Sequence, residues 1–240
     1  MIFCYLSKRN NKRKPKDFTT CNKNYNFYNN LEYFEHTYGE KNFEKILETN
    51  NFIRLVRNPI ERLISGFMHL CYYGTTITNE HYCYGCDKNI TCFVNVLENK
   101  LWETFNNNFY LENNKENEYI YHFYPQTWSC EYYKLNHLFT YIKYNSSDRN
   151  TYSKNINEFL KKNNVNQHAL SFINKKIHKF KTQHMTLSKN ETTIYKDALY
   201  NDPFLLQKVC SIYYYDFIEF DFEFPKECIN LTNINLNNRI

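Results

Sequence analysis

No run of eighteen apolar residues occurs in the 240-residue chain, which excludes a membrane-spanning helix within it. The N-terminus also lacks the order of a secretory signal, because in MIFCYLSKRNNKRKPK a short apolar piece precedes the charges instead of following them. The chain is therefore expected to be soluble or to have its true N-terminus upstream. No internal repeat is present. The pair Cys83 and Cys86 in CYGC has no second C-x-x-C to match it. Zinc would have to draw on Cys83, Cys86, Cys92 and either His81 or Cys71. A thioredoxin-like pair would need a helix N-terminus after a strand, where this segment reads as a loop. Neither metal nor redox chemistry is expected there.

The length suits one domain with a sizeable core, expected over residues 1–228 with a tail at 229–240. Thirty Lys and Arg against 25 Asp and Glu give a net charge of +5, which suits a polyanionic partner: nucleic acid, an acidic glycan or a phosphorylated nucleotide. The high Asn, Lys, Tyr, Phe and Ile content follows from A/T-rich codons and carries no functional weight. The same holds for the sequons at Asn89, Asn145, Asn190 and Asn230. Nine cysteines, with Cys71, Cys83, Cys86, Cys92 and Cys130 gathered around one loop-like region, favour disulfides and an oxidising compartment. The pairing stays open, and an odd total leaves at least one thiol unpaired or bonded to another chain. A basic run, Lys8, Arg9, Lys12, Arg13, Lys14 and Lys16, is a solvated loop or a contact for an acidic polymer.

The densest local signal is FIRLVRNPIERLISGF at 52–67. Phe43, Ile46 and Leu47 sit at helical spacing just before it. Phe52 to Val56 reads as a mostly buried strand broken by Arg54. Asn58 is a suitable N-cap, Pro59 fits the first helical position, and Glu61 completes an N-x-x-E capping arrangement. On the helix that follows, Ile60, Leu63, Ile64 and Phe67 face the core, leaving Asn58, Arg62 and Ser65 on the other side near Arg57. Two guanidinium groups and a hydroxyl thus gather at a helix N-terminus that already favours an anion. Arg57 with Ser65 is a candidate phosphate site; the bland alternative is that Arg57 and Arg62 pair with acidic neighbours such as Glu61.

Further along, CFVNVLENKLWETF reads as a helix, 106–119 as a polar insertion and HLFTYIKY as a strand. SKNETTIYKDALY opens with a capping box of Ser188 and Glu191, and DPFLLQKVCSIYYYDF with Asp202 as cap and Pro203 at the first helical position. Alternating strands and helices with a helical C-terminal half make α/β the expected class.

RLVRNPIERLISGF resembles V-R-[DN]-P-x-x-R-[LF]-x-S, the motif with which carbohydrate sulfotransferases hold the 3′-phosphate of 3′-phosphoadenosine-5′-phosphosulfate. CYGCDKNITCF, HFYPQTWSCEYY, the 186–220 segment and the closing FEFP resemble, in order, the nematode branch of that family, whose relatives sulfate chondroitin. The resemblance covers most of the chain. It implies a nucleotide-kinase-like (P-loop-type) sulfotransferase fold, a parallel sheet flanked by helices. It also assigns Arg57 and Ser65 to the donor's 3′-phosphate, with Asn58 in place of the family's more usual Asp. MIFCYL is similar to the helix after the family's 5′-phosphosulfate loop, so that loop, the first strand and any membrane anchor are expected before Met1.

The function implied is transfer of sulfate from that nucleotide, the only cosubstrate and with no metal, to a glycosaminoglycan hydroxyl. Chondroitin 4-O-sulfation is the expected reaction, in the Golgi lumen or secretory pathway. A base must accept the acceptor's proton. His122, which opens HFYPQTWSC and can titrate near neutral pH, is the candidate, with His36 and Glu61 in reserve. The expected partner is an acidic, chondroitin-like glycan and not a nucleic acid; oligomeric state is open. The alternatives are a catalytically inactive glycan- or nucleotide-binding fragment of the family and a nucleic-acid-binding protein.

Overall fold

The computed structural model describes residues 39–74, 82–106, 122–129, 132–145, 147–179 and 190–228. The basic run at 8–16, His36, His81, Cys130, Ser188, most of the polar insertion and the expected loop before Met1 lie outside the described residues. Eight helices and two strands are described: α1 (Glu40–Thr49), β1 (Phe52–Arg57), α2 (Pro59–Phe67), α3 (Ile90–Asn106), β2 (Phe139–Tyr144), α4 (Arg149–Lys162), α5 (Gln167–Lys179), α6 (Asn190–Tyr200), α7 (Pro203–Ile212) and α8 (Tyr214–Glu219). A π-helical turn at Met68–Tyr72 and short turns at Gln126–Trp128, Tyr132–Leu135 and Asn136–Leu138 complete the set.

Among the described residues the expected α/β alternation resolves into a helix-rich fold with one small sheet, β1 beside β2. The first residues of the strands meet, with the Phe52 and Phe139 rings 6.0 Å apart, and so do the last, with Arg57 over the Tyr144 ring at 5.7 Å. The pair therefore runs parallel. β2 starts two residues later than the HLFTYIKY reading, because His137 and Leu138 close a helical turn. The final helix divides at Tyr213, whose hydroxyl donates to the Phe123 carbonyl at 2.8 Å inside the core.

The described residues fall into two compact units, with the chain changing unit inside each strand, after Arg54 and after Ile142. The smaller unit takes in α1, α4 and α5, with a core of Ile142, Ile156, Leu160, Leu170 and Ile173. Arg54 is buried there, its guanidinium 5.4 Å from the Tyr132 ring centre and 5.9 Å from that of Phe139. Cation–π contact and the aliphatic stem make that burial tolerable.

The larger unit packs α2, α3, α6, α7 and α8 around Phe67, Phe93, Leu97, Leu199, Leu206 and Phe217. The α2 face expected to be apolar is the buried one, Ile60, Leu63, Ile64 and Phe67 being at most 3% exposed. Gly66 lies on the same face for a steric reason. A Cβ there would stand 2.8 Å from Phe123 Cε1, so only glycine lets that ring lie against the helix. Among the described residues three disulfides close this unit: Cys71–Cys83, Cys86–Cys92 and Cys210–Cys228. The thiols weighed for zinc, Cys71, Cys83, Cys86 and Cys92, are thereby all consumed. Two of the bonds pin the segment after α2, and Asn89 opens α3 there by accepting from the Cys92 amide at 3.0 Å.

Candidate functional site

The site grows from the strand-to-helix junction. The Asn58 side chain accepts from the amides of Ile60 and Glu61 at 3.1 and 3.2 Å, and its carbonyl from that of Arg62 at 2.9 Å. Pro59 has no N–H to offer. The first-turn amides of α2 are thus spent on its own cap, and an anion here would meet the helix dipole and the arginine rather than bare backbone donors.

Arg57, the last residue of β1, is the group so placed. Its backbone is bracketed by one side chain: Gln126 Oε1 accepts from the Arg57 amide at 2.9 Å and Gln126 Nε2 donates to the Arg57 carbonyl at 2.8 Å. The side chain is 16% exposed. Its Nε and Nη2 are buried without a hydrogen-bond partner. The nearest carboxylate, Glu61, has Oε2 3.8 Å from Nε, beyond hydrogen-bond range. Burial, and to a smaller degree the charge of Arg62, hold the Arg57 pKa below its usual value against the opposing pull of Glu61 and Tyr144. A guanidinium with two desolvated, unused N–H groups is poised for a strong anion. This orphaned donor pair fits a phosphate.

Arg62 does not share that role. Its Nη1 donates to the carbonyl of Tyr124, tying α2 to the segment that carries Gln126. That segment is held from beneath by Asp216, fully buried on α8. One carboxylate oxygen accepts from the Gln126 amide at 2.7 Å and from Gln126 Nε2 at 3.3 Å; the other accepts from the Thr127 amide at 2.9 Å and Thr127 Oγ1 at 3.1 Å. Burial pushes the Asp216 carboxyl up, and these donors with the Arg62 charge pull it back. A continuous path of hydrogen bonds runs from Asp216 through Gln126 to the backbone of Arg57.

Of the residues singled out in the sequence, Arg57 is at the centre of this arrangement, and Ser65 is half-buried on α2 two turns beyond the cap. His122 stands at the surface of the same unit, its ring centre 6.3 Å from that of His69. Its pKa is lowered, first by partial desolvation and then by the charges of Arg62 and His69. Glu61, the acidic neighbour of the bland reading, lies in ion-pair range of Arg57 at 3.8 Å without a hydrogen bond to it. Gln126, Thr127 and Asp216 escape a sequence reading, since they act across 69 to 90 residues; the one local hint is that Gln126 lies in the HFYPQTWSC block.

The family model described as "Sulfotransferase family" matches residues 1–223. Carbohydrate sulfotransferase chst-1 of Caenorhabditis elegans is 28% identical over 208 residues, 80% of this chain and 62% of that protein. The C. elegans protein named "Uncharacterized protein C18B2.2" is 27% identical over 173 residues, 72% of this chain and 47% of its own length. The chain thus spans about half the length of the curated relatives it matches. No solved structure matches.

Proposed function

The chain belongs to the sulfotransferase family, and on that premise we propose that it transfers sulfate from 3′-phosphoadenosine-5′-phosphosulfate to a hydroxyl of an acidic glycan, with chondroitin 4-O-sulfation as the reaction to test first. The observation that carries the reading is the buried, hydrogen-bond-free Nε and Nη2 of Arg57, which match the oxygens of a ribose 3′-phosphate. The name of the chst-1 relative, a carbohydrate sulfotransferase, supports a sugar as acceptor.

When bound, the donor supplies an activated sulfuryl group. The residues of this chain position and deprotonate around it. Arg57 holds the 3′-phosphate through two parallel N–H bonds, with the Ser65 hydroxyl as a further donor. Gln126 and Asp216 keep the arginine's backbone fixed, so little ordering cost falls on binding. His122 takes the proton of the acceptor hydroxyl; a lowered pKa leaves its imidazole neutral and able to do so at neutral pH. The nucleotide-kinase-like fold, with its 5′-phosphosulfate loop, and the secretory-pathway setting belong to the same proposal, and the disulfides agree with an oxidising lumen.

The test is incorporation of radiolabelled sulfate into a panel of desulfated glycans, beside calorimetric binding of adenosine-3′,5′-bisphosphate. Binding abolished in Arg57→Ala and labelling of unsulfated chondroitin are expected. Wild-type affinity in that variant would overturn the assignment of Arg57, and steeply salt-dependent binding of RNA or DNA in place of the nucleotide would overturn the enzyme reading.

A further inference from the structure

A second polar feature lies wholly in the smaller unit, between α4 and α5. Lys154, Asn157, Glu158 and Lys161 repeat at i, i+3, i+4, i+7 on α4; Gln167, Leu170, Ser171 and Asn174 repeat identically on α5. At that spacing each set forms a single stripe, and together they line a groove of about 310 Å³. Facing stripes on paired helices are ordinarily apolar. Here seven of the eight positions are polar, and the eighth, Leu170, belongs to the hairpin core with Ile156, Leu160 and Ile173.

Its floor is a hydrogen-bonded ladder with one open acceptor. Asn157 Nδ2 donates to Ser153 Oγ at 3.4 Å, and Ser153 Oγ donates to Asn174 Oδ1. Asn157 Oδ1 is buried and has no hydrogen-bond partner. An acceptor left so is costly unless something supplies a donor. At the rim Lys154 reaches only a 4.0 Å pair with Glu158, and Lys161 forms no ion pair among the described residues. The groove so combines a buried, unsatisfied acceptor at its floor, amide and hydroxyl groups from Gln167, Ser171 and Asn174, the edge of the core residue Leu170 and a net positive rim. Its volume is at the lower end of small-ligand pockets, roughly 300 to 1,000 Å³, and its polarity is unlike their usual apolar lining.

We propose that this groove is a saccharide subsite that seats one carboxylated sugar unit of the glycan chain, with the sugar's hydroxyls on Asn157 and Asn174, its ring C–H face on Leu170 and its carboxylate on Lys161 and Lys154. This deepens the sulfotransferase reading, since it rests on the acceptor being an acidic glycan, and it adds an anchoring site distinct from the donor residues.

The probe is an unsulfated chondroitin hexasaccharide, titrated against the 240-residue chain by calorimetry and by ligand-observed NMR. A neutral N-acetylglucosamine hexamer and a short RNA serve as controls. The variants Lys161→Gln and Ser171→Phe alter exposed positions and leave the core intact, as circular dichroism would verify. Each is expected to weaken the acidic oligosaccharide about tenfold and to leave adenosine-3′,5′-bisphosphate binding unchanged. Less than a twofold loss in both variants, equal binding of the neutral hexamer, an RNA response with the same sensitivity, or no binding of the acidic oligosaccharide would each overturn the subsite. In every one of these cases intact nucleotide binding would leave the donor assignment standing, and lost nucleotide binding would sink both.

Discussion

Arg57 carries a cost to stability that the proposed nucleotide would offset. Its side chain is only 16% exposed, yet two of its guanidinium nitrogens make no hydrogen bond. Such a group destabilises the empty fold, and exchanging buried ionic groups for apolar ones of similar volume is commonly neutral or stabilising. Arg57→Met is thus expected to hold or raise the thermal midpoint. The same change should weaken adenosine-3′,5′-bisphosphate about 100-fold or more, because two charge-assisted bonds of about 1.5–3 kcal/mol each are lost. A clear fall in the midpoint by scanning calorimetry would show that the arginine is already satisfied. His122 gives a pH-dependent counterpart. Its folded pKa lies below the ordinary 6.5, so below that pH the unfolded chain carries the extra proton. Stability should rise with pH through the window from the folded pKa up to 6.5 and be lost as pH falls through it. His122→Gln should flatten that slope in urea titrations at stepped pH, and NMR titration of the wild type should place the imidazole below 6.5.

At the scale of elements, the junction of β1 and α2 was legible because its signals are short-range. Asn58 as cap, Pro59 at the first turn and the spacing of Ile60, Leu63, Ile64 and Phe67 all operate within ten residues, and each is found as read. Asp202 and Pro203 open α7 in the same way. The pair α4 and α5 was not read, since its buried stripes, Ile156 with Leu160 and Ala169 with Leu170 and Ile173, are thin and surrounded by the Asn and Lys that codon bias spreads everywhere. Only half of the proposed donor site is legible in the sequence, because its support is tertiary: the Gln126 side chain does for Arg57 what a neighbouring strand would do, and α8 supplies the carboxylate that holds Gln126. Asp216→Asn would set an amide N–H₂ against donors that need acceptors. It is expected to cost about 1–3 kcal/mol of stability and to weaken nucleotide binding although residue 216 holds Arg57 only through Gln126. If Asp216 acts through Gln126, a double-mutant cycle with Gln126→Ala should show a coupling above about 0.5 kcal/mol in nucleotide affinity. Additive losses would break the proposed path from α8 to Arg57.

For the molecule as a whole, cysteine usage is the clearest long-range signal in the sequence, and the structure turns it into specific crosslinks. The clustering of Cys71, Cys83, Cys86 and Cys92 signalled disulfides without fixing partners, since pairing depends on which loops the fold brings together. Cys210 and Cys228 stood apart from that cluster and gave no signal, because their approach follows from the chain returning past α7 after α8. The three bonds close loops of 12, 6 and 18 residues, all within the unit that carries Arg57. In the chain-entropy account, closure of a loop limits the unfolded ensemble more as the loop lengthens, which gives about 2 kcal/mol for the shortest of these and about 3 for the longest. Removing Cys210–Cys228 by paired alanine substitution is therefore expected to lower the urea midpoint further than removing Cys86–Cys92, by an amount equivalent to about 1 kcal/mol. All six half-cystines are at least partly buried and Cys71, Cys83, Cys210 and Cys228 are fully so, so the bonds form as the core forms. Protein made in a reducing cytosol should accumulate poorly, and protein routed through an oxidising secretory compartment should yield peptides joined as 71–83, 86–92 and 210–228 on non-reducing digestion. Equal yield and equal stability from the reducing route would show that the core assembles without its crosslinks and would remove the compartment argument along with them.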